Sequence, residues 1–261
     1  MKKNEQTGLY ESKYWHPAVT TDAVFFGFDG KDLNVLLIER GNDPDKGMWA
    51  LPGGFLIEKD KDAKSCVMRE LKEETSLKLK STKENESKEV NWEDVPVKEV
   101  GTFSKKDRDK RERVITIAFT ALIKKDDYEI QAGTDAKNVG WFKINELPKL
   151  AFDHKDIIQA ALADLKKTIL FEPVGFELLS EEFSMQQLQN IYIAILDPER
   201  KNPKLGDRRN FRKKMESLKY IELIEGRSLT APGRRPSNCY RFNEAAYKAA
   251  KDKGIHLEFY N

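Results

Sequence analysis

One predicted helix places three carboxylates on a single face, and this pattern constrains the chain more than any other feature. An apolar stripe at helical spacing indicates the helix over residues 63–75. Glu70, Glu73 and Glu74 lie three and four residues apart, so they share one side of it. Like charges at this spacing destabilise a helix by about 0.2–0.5 kcal/mol per pair. A hard divalent cation such as Mg²⁺, which prefers oxygen ligands, would relieve that repulsion.

Strand patterns surround this helix along the chain. Apolar runs predict strands over 23–28 and 33–38, joined by an Asp29-Gly30 turn, and further strands over 97–103, 114–123 and 139–142. A flexible loop with the sequence Pro52-Gly53-Gly54 precedes the helix, and the polar segment 78–93 is predicted to be a surface excursion. The first part of the chain is therefore expected to be α/β.

Residues 54–77 resemble the Nudix box, in which a glycine, a glutamate and an Arg-Glu-apolar-any-Glu-Glu segment follow at fixed spacing. The second half matches at Arg69, Glu70, Leu71, Glu73, Glu74 and Leu77. Ser76 replaces the family's glycine, and Lys61 stands where the family has glutamate. The resemblance implies a Nudix fold, an α/β/α sandwich with a mixed sheet. In active members the matching residues, here Arg69, Glu70, Glu73 and Glu74, serve catalysis, and the glutamates bind Mg²⁺.

The departures from the box leave two interpretations of this helix open. In the first, Asp60 or Asp62 compensates for Lys61 and the site works. In the second, the helix preserves the fold and binds little metal, because a shorter acid at a shifted position is a poor substitute where geometry decides rate.

Charge divides the chain into two unlike parts. The whole sequence carries 46 Lys and Arg against 44 Asp and Glu, a formal net charge of +2. Residues 198–242 alone contain 13 basic and five acidic residues, net +8, so the rest of the chain carries −6. With 261 residues, the length suits two domains. We expect an effector-binding domain over 1–150 and a DNA-binding domain over 151–261.

The element order after residue 150 is typical of a winged helix-turn-helix. The patterns predict a helix over 153–167, a short strand over 175–179 and a helix that Ser184 and Gln187 begin as a capping box. A basic helix follows over 207–218, capped by Asp207, and then a hairpin of strands over 220–225 and 239–242. We expect the Ser184 helix to cross the DNA backbone and the basic helix to enter the major groove.

The basic module carries the candidate DNA contacts. Arg208, Arg209 and Asn210 occupy the first turn of the basic helix, where Arg suits guanine and Asn suits adenine. Other cations suit phosphates, namely Arg212, Lys213, Lys214, Arg234 and Arg235. The alternative is that this charge run is a solvated helix face.

A Nudix-like domain followed by a winged helix resembles the Nudix-related transcriptional regulators. Further matching segments are His16-Pro17-Ala18-Val19-Thr20, Ala151-Phe152-Asp153-His154 and the basic run 207–214. The resemblance implies a homodimer that binds double-stranded operator DNA without a required cofactor and senses ADP-ribose, a related nucleotide or a pentose. By the same resemblance the effector contacts are Gly53, Gly54, Phe55, Arg108, Arg111 and Arg113.

Two other functions stay open at this stage. One is a Mg²⁺-dependent Nudix hydrolase of ADP-ribose or a similar diphosphate, and the other is a sugar-responsive regulator without metal. Cys66 and Cys239 show no disulfide or zinc-ligand spacing, and no segment has the pattern of a signal peptide or membrane span. We therefore expect a cytoplasmic protein that does not enter a membrane.

Overall fold

A mixed β-sheet forms the centre of the first part of the chain. The computed structural model describes residues 2–3, 10–11, 14–79, 88–89, 95–133, 136–230 and 235–252. Its first twelve strands are β1 (Lys2–Lys3), β2 (Tyr10–Glu11), β3 (Ala18–Phe28), β4 (Leu33–Arg40), β5 (Trp49–Ala50), β6 (Gly53–Phe55), β7 (Lys78–Leu79), β8 (Lys88–Glu89), β9 (Lys98–Phe103), β10 (Val114–Lys124), β11 (Tyr128–Glu129) and β12 (Ala136–Lys143). The main sheet has the order β12-β4-β3-β10-β9, with β5 and β6 added on β4 and β3. Strand β10 runs parallel to β3, and the other pairs are antiparallel.

Two helices cover the two faces of this sheet. Successive side chains of a strand point to opposite faces. On β3, Phe25 therefore packs with the apolar side of α1 (Ala63–Thr75), whereas Phe26 packs with α2 (His154–Phe171). This arrangement confirms the predicted α/β/α sandwich with a mixed sheet.

Helix α1 begins and ends at specific caps. The Asp62 carboxylate accepts a hydrogen bond from the Ser65 N–H, and the Ser65 hydroxyl accepts one from the Asp62 N–H. The reciprocal pair satisfies backbone donors that the helix leaves free at its start. At the other end Ser76 adopts φ 42°, the left-handed conformation in which helices commonly stop at glycine. The structure thus places Ser76 in the role of the glycine that it replaces in the box.

The second part of the chain is a winged helix. Its elements are β13 (Phe183–Ser184), α3 (Met185–Leu196), α4 (Pro203–Gly206), α5 (Arg208–Ser217), β14 (Ile221–Leu229), β15 (Ser237–Phe242) and α6 (Glu244–Asp252). The three strands form a sheet of order β13-β15-β14. Ser184 and Gln187 form the predicted capping box, and Asp207 caps α5 as predicted. No helix in the described ranges is long and apolar enough to cross a membrane.

Two sequence-based expectations about this part were wrong. Residues 175–179 do not form a strand, because the chain turns after Pro173 and closes short 3₁₀ hydrogen bonds over Phe176–Leu178. The helix that precedes the basic helix is α4, which Asn202 caps, and not α3. A single turn of helix has no periodicity that a sequence pattern reveals. In addition, α2 extends to Phe171, four residues beyond the predicted end.

The two parts are in direct contact. One hydrophobic core runs from Phe26 on the sheet through Ile158 of α2 to Tyr192 and Phe211 of the winged helix. Polar contacts join the β3–β4 turn to the same domain, because the Asn190 side chain donates to the Gly30 carbonyl at 3.1 Å. The main sheet and the winged helix therefore share both packing and hydrogen bonds.

Candidate functional site

A cavity of about 310 Å³ opens where β3, β4 and β6 meet α1 and the start of α2. Six segments of the chain supply its walls. They contribute Thr20, Asp22, Ile38, Arg40, Leu51, Gly53, Gly54, Phe55, Ile57, Glu70, Glu74, Arg108, Asp109, Arg111, Phe152 and His154. The structure thus brings the glycine loop, the acidic helix and part of the predicted arginine turn to one place.

Close packing requires glycine at position 53 and brings Gly54 against the Glu70 side chain. A Cβ atom on Gly53 would lie 2.1 Å from the Thr21 carbonyl oxygen, and one on Gly54 would lie 2.4 Å from the Glu70 carboxylate. The Gly53 N–H donates to Glu74 Oε2 at 2.8 Å. The loop therefore lies directly on the acidic face of α1.

Arg69 organises the acidic helix. Its guanidinium forms a bidentate pair with Asp60, with N–O distances of 2.9 and 3.0 Å, and also donates to Glu70 at 2.6 Å and to Glu73 at 3.2 Å. The hydrogen bonds from Arg69 hold the pKa of the Asp60 carboxyl well below its usual range. Burial raises the pKa of Glu70. Asp60 thus supplies the acid that faces Arg69, whereas Lys61 is exposed.

The carboxylates of α1 do not fit a divalent cation in this arrangement. Within the part of the chain that the structure describes, no three His, Cys, Asp or Glu side chains are grouped to hold a metal ion. Glu74 accepts from a backbone N–H, and the Glu73 side chain is 55% exposed and turned towards Arg69. The single positive charge of Arg69 is shared among Asp60, Glu70 and Glu73, so it relieves part of the repulsion between these carboxylates.

The three predicted effector arginines have different environments. Arg108 is buried and committed, because its guanidinium binds both oxygens of Asp153 at 2.7 and 3.0 Å. Arg111 pairs with Asp109 at 2.7 Å and lies over the Phe55 ring, 5.1 Å from its centroid. Arg113 does not line this cavity and lies at another one beside Trp15. Arg111 is therefore the cation of this turn that is placed for a ligand.

Sequence patterns missed two cavity residues that pair with each other. Arg40, at the end of β4, lies 4.7 Å from the centroid of the Phe152 ring. Phe152 adopts φ 51°, an unusual conformation for an aromatic residue, and its ring also lies 5.8 Å from the Arg111 guanidinium. An arginine that ends a strand carries no local signal of a ligand site, so only the fold reveals its position.

His154 is a structural group at the base of the cavity. Its Nδ1 accepts a hydrogen bond from the Leu51 N–H at 2.8 Å, and its Nε2 lies 3.5 Å from Asp22 Oδ1. Burial lowers the pKa of the imidazole. The neutral ring with a proton on Nε2 satisfies both contacts.

Helix α5 presents a basic face to solvent. Phe211 and Met215 are buried, and Asp207 Oδ1 accepts from the Asn210 N–H at 2.9 Å. The predicted base contacts Arg208, Arg209 and Asn210 are exposed, and so are Arg212, Lys213 and Arg235, whereas Lys214 is half-buried. Arg234 lies outside the described residues.

Arg212 is held in place on this face by a carboxylate that also binds the hairpin. Its Nε donates to Glu216 Oε1 at 2.8 Å, and the Tyr240 hydroxyl donates to the same oxygen at 2.8 Å. Because Tyr240 belongs to β15, the contact joins the basic helix to the hairpin.

Comparison with known protein families identifies both parts of the chain. The NUDIX domain family matches residues 16–161, and the NrtR DNA-binding winged helix domain matches residues 175–242. A curated relative over most of the length is the ADPR responsive transcriptional repressor NtrR of Acinetobacter baylyi, 30% identical over 89% of this chain and 84% of the relative. The chain belongs to the Nudix-related transcriptional regulators.

Other relatives resemble this regulator over different portions. The ADP-ribose pyrophosphatase of Methanocaldococcus jannaschii is 42% identical over 56% of this chain and 73% of its own. The crystal structure of Shewanella oneidensis NrtR has a TM-score of 0.62 at 29% identity and covers 86% of this chain and 93% of its own. The same protein in complex with a 27mer DNA has a TM-score of 0.60 at 27% identity, covering 88% of this chain and 95% of its own.

Proposed function

We propose that this regulator is an ADP-ribose-responsive repressor, in which the cavity binds the effector and α5 binds operator DNA. The observation that carries the proposal is the placement of Arg40 and Arg111 around Phe152 in a cavity that belongs to the same packed unit as the winged helix. The Acinetobacter relative, which matches nearly the whole chain, is described as responsive to ADPR. Both the site and the relationship support the same ligand.

The chemistry of the cavity suits a nucleoside diphosphate. Guanidinium groups bind phosphate oxygens through paired hydrogen bonds, and they also stack on aromatic rings. Arg111 is well placed for the diphosphate because Asp109 holds its Nε and Nη2. Phe55 and Phe152 offer ring faces for an adenine. We assign effector contacts to the side chains of Arg40, Arg111, Phe55 and Phe152, together with Gly53 and Gly54.

We propose that the regulator acts as a homodimer on an operator with two half-sites. Winged-helix and helix-turn-helix proteins commonly bind two-fold symmetric DNA, with one basic helix in each major groove. Arg208, Arg209 and Asn210 are exposed in the first turn of α5, where base edges are reached. The other cations of the module then position the protein on phosphates.

Hydrolysis of ADP-ribose is the second candidate. The 42% identity to an ADP-ribose pyrophosphatase favours it, and so does the pair between Asp60 and Arg69, which restores an acid beside the box arginine. The arrangement of Glu70 and Glu73 on Arg69 argues against a bound Mg²⁺. Incubation with ADP-ribose and Mg²⁺ tests this directly, since hydrolysis releases AMP and ribose phosphate.

Operator binding with and without ADP-ribose tests the leading proposal. Operator duplexes are first selected by the protein from a randomised pool, and their affinity is then measured over a range of ADP-ribose concentrations. We expect ADP-ribose to weaken binding several-fold or more, and Arg111→Ala to abolish this response while leaving effector-free DNA affinity unchanged. Arg209→Ala is the reciprocal variant, which loses DNA affinity but keeps ADP-ribose binding. An unchanged operator affinity at saturating ADP-ribose would overturn the proposal.

A further inference from the structure

A second cavity of about 540 Å³ adjoins the effector cavity, and the proposed function does not use it. The loop after β4, the turn between β9 and β10 and the segment before α2 meet to form it. Arg108 and Phe152 line both cavities and form the wall between them. A molecule in the first cavity therefore lies next to the second.

Ion pairs join the three segments that form this cavity. Lys110 Nζ lies 3.4 Å from Asp45 Oδ1, which connects the β9–β10 turn to the loop after β4. Lys105 and Arg108 connect the same turn to α2 and to the residue before it, through Asp156 at 3.1 Å and Asp153 at 2.7 Å. The cavity is thus a built site whose segments hold one another in place.

The backbone at the wall is also unusual. Asp45 and Phe152 have φ values of 60° and 51°, and the Phe152 N–H donates to Asp45 Oδ2 at 3.5 Å. Non-glycine residues in the left-handed region cost free energy and persist where surrounding contacts impose them. Such residues cluster at ligand sites.

The cavity is positively charged within an acidic part of the chain. Four lysines and Arg108 face three carboxylates, giving a net charge of +2, whereas the chain outside residues 198–242 carries −6. Lys106 and Lys149 are exposed, and neither forms an ion pair within 4.0 Å in the described ranges. Two ammonium groups are therefore available for an anion.

We propose that this lysine-lined cavity is an anion site for a phosphate monoester, carried by the ligand of the neighbouring cavity or bound as a free ion. A phosphate monoester carries about −1.5 to −2 charges at neutral pH, which matches the net charge of the walls. Lysine ammonium groups act as mobile point charges and suit such a group in a half-open cavity. Where the phosphate is carried by a nucleotide, the inference rests on the proposed function, because that nucleotide must occupy the effector cavity. It implies that the regulator prefers an effector with an additional phosphate.

Calorimetric titration with three probes tests the proposal: ADP-ribose, ADP-ribose 2′-phosphate and inorganic phosphate. We expect the 2′-phosphate to bind roughly tenfold more tightly than ADP-ribose at low salt. The double variant Lys106→Ala/Lys149→Ala should remove this preference and leave ADP-ribose affinity unchanged. Lys46→Ala is the matched control, because Lys46 is an exposed lysine of the loop after β4, beside the cavity, but does not line it.

Equal affinity for ADP-ribose and its 2′-phosphate would show that the site does not bind a phosphate carried by the nucleotide. The anion site then stands only if inorganic phosphate binds and this binding requires Lys106 and Lys149. If neither nucleotide binds, the proposed function fails. Phosphate binding that the double variant abolishes would even then support the anion site. Phosphate binding that is equally strong in the double variant, or no phosphate binding together with equal nucleotide affinities, overturns the inference.

Discussion

At the scale of single residues, His154 connects two segments of the cavity through a neutral ring. Because burial lowers its pKa, the unfolded chain takes up a proton on this residue at a higher pH than the folded protein does. Stability is therefore full above the ordinary histidine value near 6.5 and falls as the pH drops from there towards the folded pKa.

We expect the free energy of unfolding to fall by about 1 kcal/mol between pH 7 and pH 5.5 because of His154. Urea unfolding at both pH values measures the change, and the variant His154→Asn isolates it. The asparagine Oδ1 occupies the position of the ring Nδ1 and still accepts from the Leu51 N–H, but the side chain does not titrate. An equal loss of stability in the variant would show that other groups cause the pH dependence.

Asp60 is a second residue whose role depends on geometry. Its carboxylate is nearly buried and forms both hydrogen bonds with Arg69. We expect Asp60→Asn to lower the free energy of unfolding by roughly 1–2 kcal/mol, because charge-assisted hydrogen bonds are replaced by weaker ones. Lys61→Ala should change it by less than about 0.5 kcal/mol, since Lys61 is exposed. Equal effects of the two substitutions in urea unfolding would contradict this assignment.

The sequence predicted the site residues that belong to a motif and missed those that the fold brings in. Glu70, Glu74 and the two glycines belong to the box and its loop, and they line the cavity. Arg108 is an arginine, a residue type that often binds phosphate, but its guanidinium is hydrogen-bonded to Asp153, which is 45 residues away in sequence. Arg40 has no motif around it and still faces the cavity. Spacing reveals local groups, whereas the partners of an arginine depend on tertiary packing.

At the scale of elements, predictable segments are those with a period and a cap. Helices α1, α3 and α5 each combine an apolar stripe with a capping residue, and the sequence indicated all three. The four-residue helix α4 and the turn at Phe176–Leu178 are too short to show a period. The apolar run of β3 revealed a strand but not its parallel pairing with β10, which depends on packing between distant segments.

The cap of α5 is open to a direct test. Asp207 accepts from the Asn210 N–H at the end of the helix that carries the predicted base contacts. We expect Asp207→Ala to lower the free energy of unfolding by about 1 kcal/mol and to weaken operator binding, because the first turn of α5 loosens. Asp207→Asn removes the same negative charge but retains a capping oxygen, so it should be nearly neutral in thermal unfolding. If the two variants are equally destabilised, the charge of Asp207 and not its cap is what matters.

At the scale of the whole molecule, two strands connect the proposed effector cavity with the winged helix. Strand β3 contributes Asp22 to the cavity, β4 ends there at Arg40, and the two strands meet at the turn over residues 29–32. That turn lies roughly 23 Å from Asp22 along β3, at about 3.3 Å per residue. There Arg200 Nη2 donates to the Lys31 carbonyl and to Asp32 Oδ1, both at 2.9 Å.

This contact continues to the DNA-binding face. Asn190 of α3 binds the same turn, and Tyr192 two residues later packs on Phe211 of α5 with ring centroids 5.5 Å apart. A chain of contacts therefore leads from β4 at Arg40 through the turn and α3 to the basic helix. Coupling requires that the effector favours one arrangement of this path over another.

We expect Arg200→Ala to reduce the response of operator binding to ADP-ribose. The substitution removes the charge-assisted contacts with Asp32 and Lys31, so the turn transmits less of any displacement to α3. The ratio of operator affinities without and with ADP-ribose should fall towards one, whereas calorimetric affinity for ADP-ribose stays the same in the absence of DNA. Lys201→Ala is the matched control, because Lys201 pairs only with its neighbour Glu199 among the described ion pairs. If Arg200→Ala keeps the full ratio, the coupling passes instead through the shared core around α2, which contacts both the main sheet and α3.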